Sequence, residues 1–245
     1  MKKINISIIF PFYNEVNRLK NLFLSIKKIQ KNLFIKCEFI FVNDGSTDCS
    51  YNSIKYFLKR YKIKNYQLIT YSKNKGKGYA IKTGVIKSKF EWILTSDIDL
   101  SVKLDFFLKW FSLYRFKKNY AYFGSRNLKS SKIKTIFIRK IIGKALQSLI
   151  YIFIDRDLTD TQCGYKIYNN LYAKKIFRKL SVNRFSYDIE VIQLLKREKI
   201  KIVELPVHWK HVSGGKVNLI TDSIKSLLDL FKIIFRYSIL DKFIK

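Results

Sequence analysis

The sequence predicts a single α/β domain whose mostly parallel central sheet is flanked by helices. Runs of β-branched and aromatic residues alternate with helix-like stretches through the first half of the chain, the order that lays parallel strands under crossover helices. Each run is continuous in its mainly apolar character, as a strand buried on both faces is expected to be. Polar residues gather where the runs end, the edge at which open parallel sheets bind ligands.

The first predicted strand covers residues 4–10 and leads into Pro11-Phe12-Tyr13-Asn14-Glu15. No glycine-rich turn follows it, which excludes a dinucleotide fingerprint or a P-loop there; Asn14 alone reads as an ordinary turn or cap residue. The second strand, 38–42, ends in Asn43-Asp44-Gly45-Ser46-Thr47-Asp48. By itself this is a turn and a helix cap, with Ser46 or Asp48 accepting from free backbone amides. The third, 67–71, precedes Asn74-Lys75-Gly76-Lys77-Gly78, the fourth, 91–95, ends in Ser96-Asp97-Ile98-Asp99, and the fifth, 121–123, in Gly124-Ser125-Arg126.

The second half reads as more helical, with helices over 135–154, 187–198 and 222–240. From Ile138, apolar residues recur at 141, 142, 145, 146, 149, 150 and 153, while Arg139, Lys140, Lys144 and Gln147 take another face, the pattern of an amphipathic helix. The last helix gathers Ile224, Leu227, Leu228, Phe231, Ile234 and Phe235 in one stripe, with Lys225, Lys232 and Arg236 elsewhere. Such a stripe serves either core packing or contact with a membrane surface. The chain therefore divides into a domain over 1–221 and a C-terminal amphipathic helix over 222–245.

Lys and Arg number 49 against 18 Asp and Glu, a formal net charge of +31. A chain so cationic seeks anions: phosphorylated substrates, an anionic bilayer or nucleic acid, although a lysine-rich composition accounts for part of the excess. A basic nucleic-acid module without catalysis leaves the acidic strand ends unexplained, so no nucleic-acid partner is expected. The three cysteines form no C-x-x-C pair, which argues against zinc and fits a reducing compartment. His208 and His211 read as structural. The apolar run after Met1-Lys2-Lys3 is too short for a signal peptide, and no run reaches the ~18 apolar residues of a spanning helix.

Asp97-Ile98-Asp99 is the centre of the functional reading. Strand residues two apart point the same way, so both carboxylates can face one ligand. That suits Mg2+ or Mn2+, held by one or two carboxylates and completed by water and diphosphate oxygens. Asp-x-Asp pairs also occur in solvated turns, but this one follows the apolar run Trp92-Ile93-Leu94. Asp44, Asp97 and Asp99 would share one rim with Lys77, the mixed lining that a nucleotide diphosphate needs.

Taken in order, Pro-x-Tyr-Asn-Glu, Asn-Asp-Gly-Ser-Thr-Asp, Asn-x-Gly-Lys-Gly, Asp-x-Asp and Gly-Ser-Arg resemble the family 2 glycosyltransferases, which implies a GT-A fold. The segments Thr159-Asp160-Thr161-Gln162-Cys163-Gly164-Tyr165-Lys166, Arg184-Phe185-Ser186-Tyr187-Asp188-Ile189-Glu190 and Pro206-Val207-His208-Trp209 through Gly214-Gly215-Lys216-Val217 are similar to the dolichyl-phosphate and polyprenyl-phosphate branch. The resemblance spans residues 4–222. It implies that Pro11, Tyr13, Glu15 and Asp44 line the nucleotide pocket with Lys77, that Asp97 and Asp99 handle metal and diphosphate, and that Arg126, Arg139 and Lys216 meet phosphates. Asp188 is a candidate base or orienting group, with a helix-start residue as the plain alternative; for Asp160 capping is the expectation.

The reaction implied is inverting transfer of glucose from UDP-glucose, or of mannose from GDP-mannose, to dolichyl or polyprenyl phosphate. It would run at the cytoplasmic face of a membrane, reached by peripheral attachment or through an integral membrane partner. Transfer to a saccharide or protein hydroxyl is the rival reading. Two positions depart from the family's habit: Ile98 stands where alanine is usual, and Gly215 where a serine usually precedes Lys216. Neither removes a carboxylate or the lysine charge.

Overall fold

A computed structural model of the 245-residue chain describes residues 3–134, 154–155, 157–212, 214 and 219–243. The strands are β1 (Ile4–Phe12), β2 (Ile35–Asn43), β3 (Tyr66–Thr70), β4 (Trp92–Thr95), β5 (Tyr120–Ser125), β6 (Lys132–Lys134), β7 (Lys166–Asn169), β8 (Lys201–Pro206) and β9 (His208–Lys210). The helices are α1 (Leu19–Gln30), α2 (Ser50–Arg60), α3 (Lys77–Lys87), α4 (Phe106–Leu113), α5 (Asn170–Lys179), α6 (Tyr187–Arg197) and α7 (Leu219–Phe243). Seven strands form one sheet in the order β3-β2-β1-β4-β7-β5-β8, and β6 pairs with β9 in a second, two-stranded sheet.

β1 pairs in parallel with both β2 and β4, so the chain winds outward through β2 and β3 on one side and returns to the other side at β4. That reversal opens a crevice beyond the carboxyl ends of β1 and β4, the place where such sheets bind ligands. β7 runs antiparallel to its neighbours β4 and β5, and β8 resumes the parallel direction beside β5.

The five predicted strands are all present, with ends moved by a few residues. β7 and β8 were not expected. β7 has only four residues and carries Lys166 in its apolar run, while β8 interrupts its own with Lys201 and Glu204. The predicted helix over 135–154 falls, except for Ile154, outside the described residues.

Apolar side chains fill both faces of the sheet. One face packs residues such as Ile6, Ile8, Phe10 and Phe41 against Leu22 and Ile26 of α1, Ile54 and Phe57 of α2, and Trp110 of α4. The other packs Ile9, Val42, Ile93 and Phe123 against α3, α5 and α6. Each such residue contributes roughly 1.5–3 kcal/mol of burial. α3 comes especially close to β1, because a Cβ on its Gly84 would lie 2.5 Å from Ile9 Cγ2.

α7 has two apolar faces. Leu230, Ile233 and Tyr237 are buried in the second core, and Ser226 lies on the same side. At 100° per residue, Ile224, Leu228, Phe231 and Phe235 fall on the opposite side, and each is more than half exposed. The expected stripe is thus real, but the face that packs on the domain is the other one. Lys225, Lys232 and Arg236 are exposed along one flank. Among the described residues, no helix is long and apolar enough to cross a membrane.

Candidate active site

The crevice is assembled from four strand ends. After β1, Asn14 adopts a left-handed conformation (φ 55°), which asparagine tolerates better than most residues. Its Oδ1 accepts from the amides of Thr47 and Asp48 at 2.8 and 3.2 Å, and its own amide donates to Ser46 Oγ at 3.0 Å. Asp48 accepts from the amides of Ser50 and Val16. The predicted turn and cap residues therefore stitch the tail of β1 to the loop after β2.

Asp44 is buried and organises the next loop. Its carboxylate accepts from the amides of Lys75 (2.8 Å) and Gly76 (2.9 Å) and from Asn74 Nδ2 (2.9 Å). Gly45 (φ 70°) makes this approach feasible, since a Cβ there would sit 2.7 Å from the Asn74 nitrogen. The anchored loop begins α3 and aims Lys77 Nζ at Asp97 Oδ1, 2.5 Å away.

Asp97 and Asp99 stand beyond β4, but not in extended strand: the chain turns there, with the Leu100 amide donating to the Asp97 carbonyl at 3.1 Å and Leu100 at φ 54°. Strand alternation therefore does not aim the two carboxylates, and each faces its own cation. Burial pushes the Asp97 carboxyl up, but Lys77, with Lys166 and Arg126 farther off, more than offsets this, so the net direction is down. Asp99 Oδ1 accepts from the amide and hydroxyl of Ser101 at 2.9 and 2.7 Å, while Oδ2 accepts from Arg18 Nη1 at 2.9 Å. Arg18 also donates through Nε and Nη2 to the Glu15 carboxylate. Burial raises the Glu15 carboxyl, and Arg18 offsets only part of that.

Asp97 also rests against the β7 side of the site. A Cβ added to Gly164 would lie 2.5 Å from Asp97 Oδ2, so that glycine forms a cradle only the carboxylate can fill. Beneath it, Lys166 is wholly buried, donating to the Thr161 carbonyl at 3.0 Å and to Asp188, with the Phe123 ring 4.8 Å away. Asp188 sits at the start of α6, only 4% exposed. Burial drives its carboxyl up, against the pull of Lys166 and Lys77.

Arg126, past β5, makes a two-pronged ion pair with Asp160: Nε to Oδ2 at 2.6 Å and Nη2 to Oδ1 at 2.9 Å. Burial raises the Asp160 carboxyl, but Arg126 outweighs it and the net direction is down. Asp160 also accepts from the Gln162 amide at 3.2 Å, but it starts no helix and its main partner is the guanidinium from the loop after β5, which corrects the capping expectation. Glu204 of β8 fixes this loop by accepting from the amides of Thr159 and Asp160.

Pro11 is buried within β1 opposite Val42, and Tyr13 is half-buried at the rim. Asp44, Lys77, Asp97, Asp99, Glu15 and Arg126 are thus gathered around one crevice, with Asp188 behind it. Arg139 and Lys216 lie outside the described residues. His208 is exposed in β9 and its ring is 5.1 Å from that of Phe106.

The two carboxylates are donors of the kind a hard divalent cation takes, although among the described residues no group of three or more His, Cys, Asp or Glu side chains is placed to hold a metal ion. Two carboxylates from one strand end, each already attracting a side-chain cation, supply the one or two oxygen ligands that Mg2+ or Mn2+ takes from protein.

The profile of glycosyl transferase family 2 matches residues 7–181, a span that holds most of this crevice. The chain belongs to glycosyl transferase family 2. Relatives of this glycosyltransferase include the dolichyl-phosphate beta-glucosyltransferases of Dictyostelium discoideum, 30% identical over 96% of this chain and 75% of the relative, and of Trichomonas vaginalis, 32% identical over 96% and 74%. The enzyme of that name from Saccharomyces cerevisiae is 30% identical over 96% and 76%. The glycosyltransferase therefore falls in their branch, as the ordered motifs implied. Among solved structures, glucosyl-3-phosphoglycerate synthase from Mycobacterium tuberculosis in complex with UDP superposes with a TM-score of 0.65 at 15% identity, covering 94% of this chain and 80% of that one. The same synthase with Mn2+, UDP and glucosyl-3-phosphoglycerate gives 0.67 at 13%, with the same coverage. The glycosyltransferase has the GT-A-like fold expected.

Sequence reading missed two charged residues of the crevice. Lys166 was legible as a charge inside the apolar run Tyr165-Lys166-Ile167-Tyr168, a pattern that demands a buried partner. Arg18 carries no comparable signal, since it lies in a short 3-10 turn (Val16–Arg18) outside any apolar run.

Proposed function

We propose that this glycosyltransferase transfers glucose from UDP-glucose to dolichyl or polyprenyl phosphate, with mannose from GDP-mannose as the second donor to test. The observation that carries the reading is the mixed crevice beyond β1 and β4, where Asp97 and Asp99 stand beside Lys77, with Arg126 close by. Glu15, Tyr13 and Asp44 lie along the rim where the nucleotide would lodge, and Pro11 backs it. The names of the relatives support the choice of lipid phosphate and of glucose.

In sugar transfer, negative charge grows on the departing diphosphate while positive charge grows at the anomeric carbon. Lys77 is positioned to neutralise the former with a preformed charge. Asp97 and Asp99 would hold Mg2+ or Mn2+, which supplies Lewis-acid neutralisation of the diphosphate when bound. A phosphate monoester has its second pKa near about 6, so at neutral pH it is mostly dianionic and already a nucleophile. A base is then unnecessary, and positioning carries the catalysis. Arg126 would help to hold the acceptor phosphate, together with Arg139 and Lys216.

Asp188 is committed to the buried Lys166. We read it as a positioning residue that, with Lys166, keeps cationic charge beneath Asp97. This favours the phosphate acceptor over the rival hydroxyl acceptor, which would require a free base.

The reading also places the enzyme peripherally at the cytoplasmic face of an anionic membrane, alone or with an integral membrane partner. Support comes from the outward stripe of α7, its flank of Lys225, Lys232 and Arg236, and the net charge of +31. In this scheme the 222–245 segment supplies the surface-contact helix, whose Leu230, Ile233 and Tyr237 also pack on the domain.

A panel of UDP-glucose and GDP-mannose, each offered dolichyl phosphate or a free saccharide with Mg2+ or Mn2+, tests the proposal. The expected outcome is organic-soluble product from UDP-glucose and dolichyl phosphate. Product only on the saccharide would shift the reading to the hydroxyl acceptor.

A further inference from the structure

Among the described residues, Arg18 is the one guanidinium that touches two of the rim carboxylates, Glu15 from its own turn after β1 and Asp99 from beyond β4. Its Nη1 donates to Asp99 Oδ2 at 2.9 Å, while Nε and Nη2 grip Glu15. The side chains of Arg18, Glu15 and Asp99 are only 13%, 11% and 16% exposed, so solvent and salt screen this pairing less than they would at a surface. Asp99 Oδ1 is occupied by Ser101. The oxygen that a divalent cation would take from Asp99 is therefore the one that Arg18 already engages.

Lys77 stands in the same relation to Asp97. Each carboxylate of the Asp-x-Asp pair thus has its own resident cation, from a different element. Metal alone must compete with these cations: Lys77 would lose Asp97, and Arg18 one of its two carboxylates, in a partly buried crevice, which is costly. A nucleotide diphosphate changes the balance, because its phosphate oxygens give the displaced cations new partners. Arg18 is well placed for such an exchange: it can release Asp99 from one nitrogen while two others keep it tied to Glu15.

We propose that Arg18 is a positioning residue that guards Asp99, so that the divalent cation binds weakly by itself and strongly only together with the donor's diphosphate. The proposal rests on Asp99 being a metal ligand. It assigns Arg18 a role in the order of donor-site assembly, separate from the transfer step.

The test is titration of the full chain with Mn2+, with and without UDP, following free Mn2+ by electron paramagnetic resonance. The wild type, Arg18→Met, Arg18→Gln, Arg18→Lys and Asp99→Asn are compared. Arg18→Gln retains a donor to Glu15 without the charge, and keeps the test decisive if the methionine variant fails to fold. The expected result is that Arg18→Met and Arg18→Gln bind Mn2+ alone roughly tenfold more tightly than wild type, the scale of one charge-assisted hydrogen bond. The gain in Mn2+ affinity on adding UDP should shrink by a similar factor, and Arg18→Lys should stay near wild type. A merely structural role for Arg18 would weaken Mn2+ binding. If Asp99→Asn loses Mn2+ while the neutral Arg18 variants bind it no more tightly than wild type, the guarding role is overturned and the metal assignment stands. If Asp99→Asn binds as well as wild type, or nothing binds even with UDP, both fall.

Discussion

At the scale of single residues, the crevice is a set of opposite charges held so close that each fixes its neighbours. Asp97 and Asp99 were legible in the sequence because two carboxylates at a strand end are adjacent in the chain. Arg18 meets Asp99 across 81 positions and Lys166 meets Asp188 across 22, contacts that only the folded sheet creates. Gly164→Ala would push a methyl group into the Asp97 carboxylate; UDP affinity should fall at least about tenfold with little change in circular dichroism, and unaltered UDP binding would contradict the cradle. The Arg126–Asp160 pair makes a pH-dependent prediction. Asp160 is held below its ordinary range, so its contribution is present above the unfolded value of about 3.9 and is lost as pH falls through the lower folded value. Asp160→Asn should therefore lower stability by roughly 3–5 kcal/mol near neutrality. In urea unfolding, that deficit should stay flat from pH 7 to 5 and narrow below about pH 4; a deficit that widens with acid would refute the assignment.

At the scale of elements, α7 is where the sequence pattern and the structure diverge most usefully. Ile224, Leu228, Phe231 and Phe235 form the more conspicuous apolar stripe, yet the helix docks through Leu230, Ile233 and Tyr237. Periodicity reveals that a helix has an apolar face; with two such faces it cannot say which one meets the core. The docked face reaches toward the donor side through Glu190 of α6, fully buried, which accepts from Tyr237 Oη at 2.9 Å and from Ser181 and Val182. The adjoining loop closes on α3, where a Cβ on Gly78 would meet the Val182 and Arg184 carbonyls at 2.8 and 3.0 Å. Substitutions should separate the two faces. Leu230→Ala and Ile233→Ala are expected to cost about 2–5 kcal/mol each while sparing vesicle binding. Phe231→Ser with Phe235→Ser should leave the thermal midpoint almost unchanged and weaken sedimentation with anionic vesicles severalfold. Loss of stability from the outer pair, with vesicle binding intact, would reverse the assignment of faces.

At the scale of the whole molecule, the parallel half of the sheet was readable because its strands are mostly apolar and punctuated by polar ends, even β4 with only four residues. β7 and β8 were not, since one is short and charged and the other stands at the sheet edge beside β5 alone. The net charge of +31 belongs to this scale too. If it steers the enzyme to an anionic bilayer, vesicle binding should fall steeply as salt rises from 0.1 M toward 1 M, over which the Debye length contracts from about 10 Å to about 3 Å. Binding that ignores salt would leave the apolar stripe as its sole support. The acidic rim and the ordered motifs bear on sugar transfer itself, and the net charge bears only on where the enzyme would work. The most direct measurement is therefore incorporation of labelled glucose from UDP-glucose into dolichyl phosphate, comparing the purified wild type with Asp99→Asn. The expected result is lipid-linked product from the wild type and none from a folded Asp99→Asn; equal turnover by the two, or no lipid-linked product from the wild type, would contradict the account.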